Sequence, residues 1–123
     1  MKITCGTDII EVSRIENAIV KHGNKFLKEI FTDSEIEYCN NKVNKYQHYA
    51  ARFAAKEATF KAISELLNNK YDIKWTDIEI KHNENQKPIV NFLKKIERIE
   101  QIDISLSHVK EYAVANCVCI LSK

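Results

Sequence analysis

Fifteen residues in the middle of the chain, Tyr49 to Ile63, restrict its possible folds more than any other stretch. They contain six alanines and neither Gly nor Pro. Alanine has the highest helix propensity, and the apolar residues recur near the helical period. The segment therefore predicts a long central helix from Tyr46 or Gln47 to Leu67, ending at Asn68-Asn69. Phe53, Glu57 and Lys61 follow at i, i+4 and i+8, with Phe60 three residues beyond Glu57, so these side chains share one helix face. Glu57 then projects from the apolar side or its edge, where a carboxylate is costly unless it pairs with a cation or binds a metal. Taken alone, Glu57 and Lys61 read as an ordinary helix pair worth roughly a few tenths of a kcal/mol.

The rest of the chain must pack around that helix. With 123 residues it is expected to form a single domain, 1–123, long enough to bury a core without disulfides or metals. Its 45% apolar and 29% charged residues are those of a soluble globular protein. The formal net charge of +2 gives no argument for nucleic acid, although the lysines suffice for local basic faces. No apolar run reaches the length of a membrane span, and the amino terminus has no signal-peptide apolar core, so a cytoplasmic location is expected. Cys5, Cys39, Cys117 and Cys119 show no CxxC spacing and read as reduced thiols acting as small hydrophobes, with no zinc site expected.

Ile3 to Val12 predicts an opening strand, with Asp8 inside an otherwise apolar run. That carboxylate either caps the next helix or does chemistry, and Glu11 and Ser13 lie closer to the cap. Ser13 to Lys21 predicts an amphipathic helix closed by Gly23, with Ile15 and Ile19 inward and Arg14, Ala18 and Lys21 outward. A short helix from Asn24 to Ile30 adds Lys25 and Lys28 to the surface, giving a basic stripe suited to an acidic partner. Thr32-Asp33-Ser34-Glu35 is a capping box opening a helix to about Asn40. Strands are expected over Ile73–His82, with an irregularity near Thr76-Asp77, and over Lys87–Phe92. Leu93–Ile99 is expected to be a helix, and Ile102–His108 with Tyr112–Leu121 an antiparallel hairpin. That order gives an α+β domain.

Several motifs in order along the chain carry a more specific signal. They are Gly6-Thr7-Asp8-Ile9-Ile10-Glu11-Val12-Ser13-Arg14-Ile15; Phe31-Thr32 with Glu35-Ile36 and Tyr38-Cys39; and Arg52-Phe53-Ala54-Ala55-Lys56-Glu57-Ala58 with Lys61-Ala62. After them come Trp75-Thr76-Asp77-Ile78-Glu79-Ile80, Lys87-Pro88, and Ser105-Leu106-Ser107-His108 with Tyr112-Ala113-Val114-Ala115. Together they resemble the holo-acyl-carrier-protein synthase family of small phosphopantetheinyl transferases, over nearly the whole chain. The pattern departs in two places: Ser64–Asn69 stands where the family has a glycine-rich turn, and Gln86-Lys87-Pro88 where it has Gly-Lys-Pro.

The resemblance implies the 4′-phosphopantetheinyl transferase-like fold, a long central helix packed on an antiparallel sheet. It also implies transfer of 4′-phosphopantetheine from coenzyme A to a serine of acyl carrier protein, releasing adenosine 3′,5′-bisphosphate, in support of fatty acid biosynthesis. Asp8, Glu57 and Lys61 would be the catalytic set. Asp8 and Glu57 would hold Mg2+, and Glu57 or a water on the metal would be the base. Arg52, Lys61, Lys87, Pro88, Ser107 and His108 would contact coenzyme A, with Lys42 and Lys45 as looser candidates. Arg14, Lys21, Lys25 and Lys28 would meet the acidic carrier protein. The family also implies a homotrimer with sites between subunits, where Asp8 of one chain and the long helix of its neighbour meet. A module that binds carrier or nucleotide without chemistry is the alternative, disfavoured by the intact Asp8, Glu57 and Lys61. A larger transferase of two fused domains fits this short chain poorly.

Overall fold

The computed structural model describes residues 1–68 and 72–123. The chain runs β1 (Lys2–Glu11), α1 (Val12–His22), α2 (Asn24–Ile30), α3 (Asp33–Asn40), α4 (Lys45–Ala62), β2 (Ile78–His82), β3 (Pro88–Phe92), β4 (Ile99–His108) and β5 (Tyr112–Leu121). The three long strands form one antiparallel sheet in the order β1-β5-β4, and β2 and β3 pair antiparallel in a second. The result is an α+β domain with α4 laid across the larger sheet.

The alanines explain how closely α4 lies. Ala50, Ala51, Ala54, Ala55, Ala58 and Ala62 are buried, as are Ala113 and Ala115 on the facing strand. Small side chains on both surfaces let helix and sheet backbones approach. Side chains alternate across a strand, so one face of the sheet, with Ile10, Ile104, Cys117, Cys119 and Leu121, packs under α4. The opposite face leaves Ile3, Ile9, Tyr112 and Val118 exposed. Three of the four cysteines are core residues and all four are free thiols. Burial pushes the Cys39 thiol up to about 12, so it stays protonated.

Local signals set most element ends. Gly23 closes α1 with φ 57°, its amide donating to the Ile19 carbonyl at 2.7 Å. The expected capping box opens α3: the Glu35 amide donates to the Thr32 hydroxyl at 3.3 Å, and the Thr32 amide to the Glu35 carboxylate at 2.8 Å.

Three expectations require correction. The central helix stops at Ala62, short of Leu67, and continues only as a 3-10 turn over Ser64–Leu66. Side chains take its last carbonyls there: the Thr4 hydroxyl donates to Ala62 at 2.6 Å and the Ser64 hydroxyl to Lys61 at 3.0 Å. The anticipated end at Asn69 lies outside the described residues. Only the second half of Ile73–His82 is strand: the irregularity expected near Thr76-Asp77 is there, as a 3-10 turn over Trp75–Asp77 whose start is held by the Lys74 amide on the Asp77 carboxylate, 2.7 Å, and the strand begins after it. Leu93–Ile99 is not a helix. The Leu93 amide is bound to the Asp77 carbonyl at 2.8 Å and Arg98 is left-handed at φ 76°, which a right-handed helix excludes.

Candidate active site

β1 and α4 bring the predicted acids together within one chain. Even-numbered residues of β1 face α4, which directs Asp8 toward the last turns of the helix. There the Lys61 ammonium donates to the Thr7 carbonyl at 2.9 Å and approaches the Asp8 carboxylate at 3.4 Å. Glu57, one turn earlier, is half-buried. Burial, and next the Asp8 carboxylate, push its pKa above the usual range, while Lys61 pulls it partway back. Asp8 thus meets its own α4, and no neighbouring copy is needed to assemble this acid pair.

Glu57 also edges a cleft of about 930 Å³, lined by Phe60, Leu67, Ile73 and Trp75 with Lys28 and Lys74 beside them. The wall is rigid. The Trp75 ring stacks on Phe53 at 4.9 Å between centroids and meets Phe60 edge-on at 5.2 Å.

Beneath it lies an ion pair that pattern reasoning missed. Lys56 and Glu35, both fully buried, pair at 2.7 Å. The ammonium also donates to the carbonyls of Ile30 at 2.7 Å and Trp75 at 3.1 Å, and Glu35 accepts the Ile80 amide at 2.8 Å. Four elements and the Trp75 turn therefore meet on one satisfied buried pair. Burial dominates Lys56 and drives its pKa below the usual lysine range, against the pull of Glu35.

The other candidates fall elsewhere. Arg52 lies five residues before Glu57, roughly 140° around α4. It is 2% exposed, with its guanidinium carbon 4.0 Å from the centre of the Tyr38 ring and Nη2 3.2 Å from His82 Nδ1. His108 Nδ1 is 3.0 Å from the Gln47 side-chain oxygen, which only accepts, so Nδ1 carries the hydrogen and Nε2 is left for another partner. Its ring lies 5.2 Å from His48, which burial and the neighbouring His108 depress to about 4. Pro88 pairs with His82 across β2 and β3, beside this cluster. Lys87 pairs with Asp103 on β4, and Ser107, adjacent to His108 on the strand, points to the open sheet face. Arg14, Lys21, Lys25 and Lys28 are all exposed along α1 and α2.

Two carboxylates beside one lysine at the edge of an apolar cleft suit a metal-assisted group transfer. Among the described residues no group of three or more His, Cys, Asp or Glu gathers to form a closed metal site. The fold is shared with a Bacillus anthracis holo-(acyl-carrier-protein) synthase crystallised with CoA (3′,5′-ADP): TM-score 0.79, 33% identity, over 97% of this chain and 96% of that one. A Helicobacter pylori holo-[acyl-carrier-protein] synthase in complex with coenzyme A gives a TM-score of 0.76 at 27% identity, over 96% of this chain and 99% of that one.

The family model of the 4′-phosphopantetheinyl transferase superfamily matches residues 4–117, and this chain belongs to that superfamily. Holo-[acyl-carrier-protein] synthase of Ruminiclostridium cellulolyticum is 44% identical to it over 128 residues, covering 98% of this chain and 94% of that protein. The protein of the same name from Chlamydia caviae is 41% identical over 119 residues, covering 94% and 95%.

Proposed function

We propose that this chain is a holo-[acyl-carrier-protein] synthase. It moves the 4′-phosphopantetheine group of coenzyme A onto a serine of apo acyl carrier protein and releases adenosine 3′,5′-bisphosphate, in support of fatty acid biosynthesis. The observation that carries this reading is the meeting of Asp8, Glu57 and Lys61 at the edge of the cleft.

Asp8 and Glu57 fit magnesium: they are hard oxygen donors close enough for one to raise the pKa of the other, and one or two carboxylates is the usual protein share of a magnesium site. The ion, when bound, would neutralise charge on the pyrophosphate of coenzyme A. Lys61 adds a fixed positive charge there; two of its three hydrogens go to Thr7 and Asp8, leaving one for a phosphate oxygen. Glu57, at the edge of the cleft, is the group placed to take the proton of the serine hydroxyl. The apolar cleft receives the pantetheine arm and keeps water from the reacting phosphorus.

The exposed Arg14, Lys21, Lys25 and Lys28 form the face for the acidic carrier protein, and Lys28 joins that face to the cleft. Arg52 and His108 lie on a different side of α4 from Glu57, so a homotrimer whose sites are completed between subunits accounts for both clusters. The exposed apolar residues Ile3, Ile9, Tyr112 and Val118 offer the surface for that contact. Four free thiols suit a cytoplasmic location, and no described helix is long and apolar enough to cross a membrane.

The test is to incubate the protein with coenzyme A, magnesium and apo carrier protein and to weigh the carrier. A gain of one phosphopantetheine is expected, and its loss on chelation. Carrier binding without mass gain would instead make this a non-catalytic binding module.

A further inference from the structure

α4 approaches the sheet closely at a residue with no side chain. A Cβ on Gly6 would overlap the Ala58 carbonyl oxygen and stand 2.9 Å from both the Ala62 nitrogen and the Lys61 Cβ. Ala58 and Ala62 are the acceptor and donor of one helical hydrogen bond, so the missing Cβ would wedge into the turn that carries Glu57 and Lys61. Gly6 has no positive φ to account for it, so close approach alone requires a glycine there. Two residues before it, the Thr4 hydroxyl holds the Ala62 carbonyl at 2.6 Å; two residues after it stands Asp8, against Lys61. Thr4, Gly6 and Asp8 share one face of β1 and lie against one turn and a half of α4.

We propose that Gly6, with Thr4, is a positioning element of the active site: the bare backbone at Gly6 and the Thr4 hydroxyl together fix the separation between Asp8 on β1 and Glu57 and Lys61 on α4. This rests on those three residues being the catalytic set. Neither Gly6 nor Thr4 touches substrate; each acts by setting where α4 stands. Relieving the overlap created by an added methyl group demands a shift of the order of 1 Å, and a misplacement of that size costs about 100-fold in rate.

The experiment compares Gly6→Ala, Thr4→Val and Ile80→Val with the parent chain in steady-state transfer to apo carrier protein, thermal melting, and calorimetric titration with Mn2+ in the absence of substrate. Ile80→Val trims a buried residue of the smaller sheet and serves as the control for simple destabilisation. For Gly6→Ala the expected result is a folded protein with kcat lowered about 100-fold, KM for coenzyme A within about threefold, and weakened Mn2+ binding. Thr4→Val keeps shape and loses the hydroxyl, so it should lower kcat by about threefold or more in the same pattern, which decides the matter if Gly6→Ala does not fold. Ile80→Val should melt lower with kcat unchanged. Unaltered kcat and Mn2+ binding in a folded Gly6→Ala, or in Thr4→Val, overturns the inference, as does a kcat loss in Ile80→Val equal to theirs. If the parent chain transfers nothing, the functional reading fails, and the Mn2+ titration still judges the spacing: weaker binding in the variants supports it and unchanged binding rejects it.

Discussion

Lys56→Met removes the ammonium from the buried pair while filling most of its volume with an apolar side chain. Glu35 then keeps two donors, the amides of Thr32 and Ile80, each at 2.8 Å, and loses the cation at 2.7 Å. The carbonyls of Ile30 and Trp75 lose a donor as well. Breaking one side of a buried pair typically costs about 3–5 kcal/mol. Because Glu35 retains both amides, the lower end applies, about 3 kcal/mol, which for a domain of this size is a fall in Tm of roughly 10 °C. Chemical denaturation followed by circular dichroism measures this, with an unchanged m-value showing that the folded state stays compact. The double variant Glu35→Gln/Lys56→Met removes the stranded charge but sets an amide NH2 against the Thr32 or Ile80 amide, so it should recover only part of the loss. A single variant within about 1 kcal/mol of the parent would refute the view that Lys56 is held there as the counter-charge of Glu35.

Glu57→Gln should abolish transfer and raise stability at pH 7 by a few tenths of a kcal/mol, discounted for the solvent the side chain sees. The sign follows from the raised folded pKa: Glu57 contributes stability only below its unfolded value and loses it as pH rises through the folded one, so parent and variant melts should converge below about pH 4. Reversing Arg14 and Lys21 to Glu should raise KM for the carrier protein at least about tenfold at low salt with little change in KM for coenzyme A; equal loss of both would signal misfolding instead. His48, depressed to about 4, stays neutral in the fold while the unfolded chain takes up a proton near 6.5. Stability should therefore fall as pH drops from 6.5 to 4, by roughly 1 kcal/mol after solvent screening, and His48→Gln should flatten that slope in pH-dependent melts.

The elements legible in the chain are those that local physics sets. Alanine propensity and the absence of Gly and Pro made α4 a helix, Thr32 and Glu35 opened α3, Gly23 closed α1, and strict alternation paired β4 with β5. The spacing of Glu57 and Lys61 on one helix face was also legible, as was the oddity of Asp8 in an apolar run. A glycine inside a strand is itself a sign of close backbone approach, so Gly6 could have been singled out from the sequence.

Contacts between residues far apart in the chain decided the rest. Thr4, 58 positions before Ala62, helps end α4 where propensity would have carried it to Leu67. The Asp77 carbonyl and the Arg98 backbone keep residues 93–98 out of a helix that their composition favours. Lys56 sits beside Glu57 in sequence yet faces the core, and only the arrival of Glu35 from α3 makes its burial tolerable. The same long-range packing divides the coenzyme A candidates, sending Lys61 to Asp8, Arg52 under Tyr38, Lys87 to Asp103 and Ser107 to the open face. A one-dimensional pattern records which faces are apolar; which charge meets which is fixed only once helix and sheet are laid against each other.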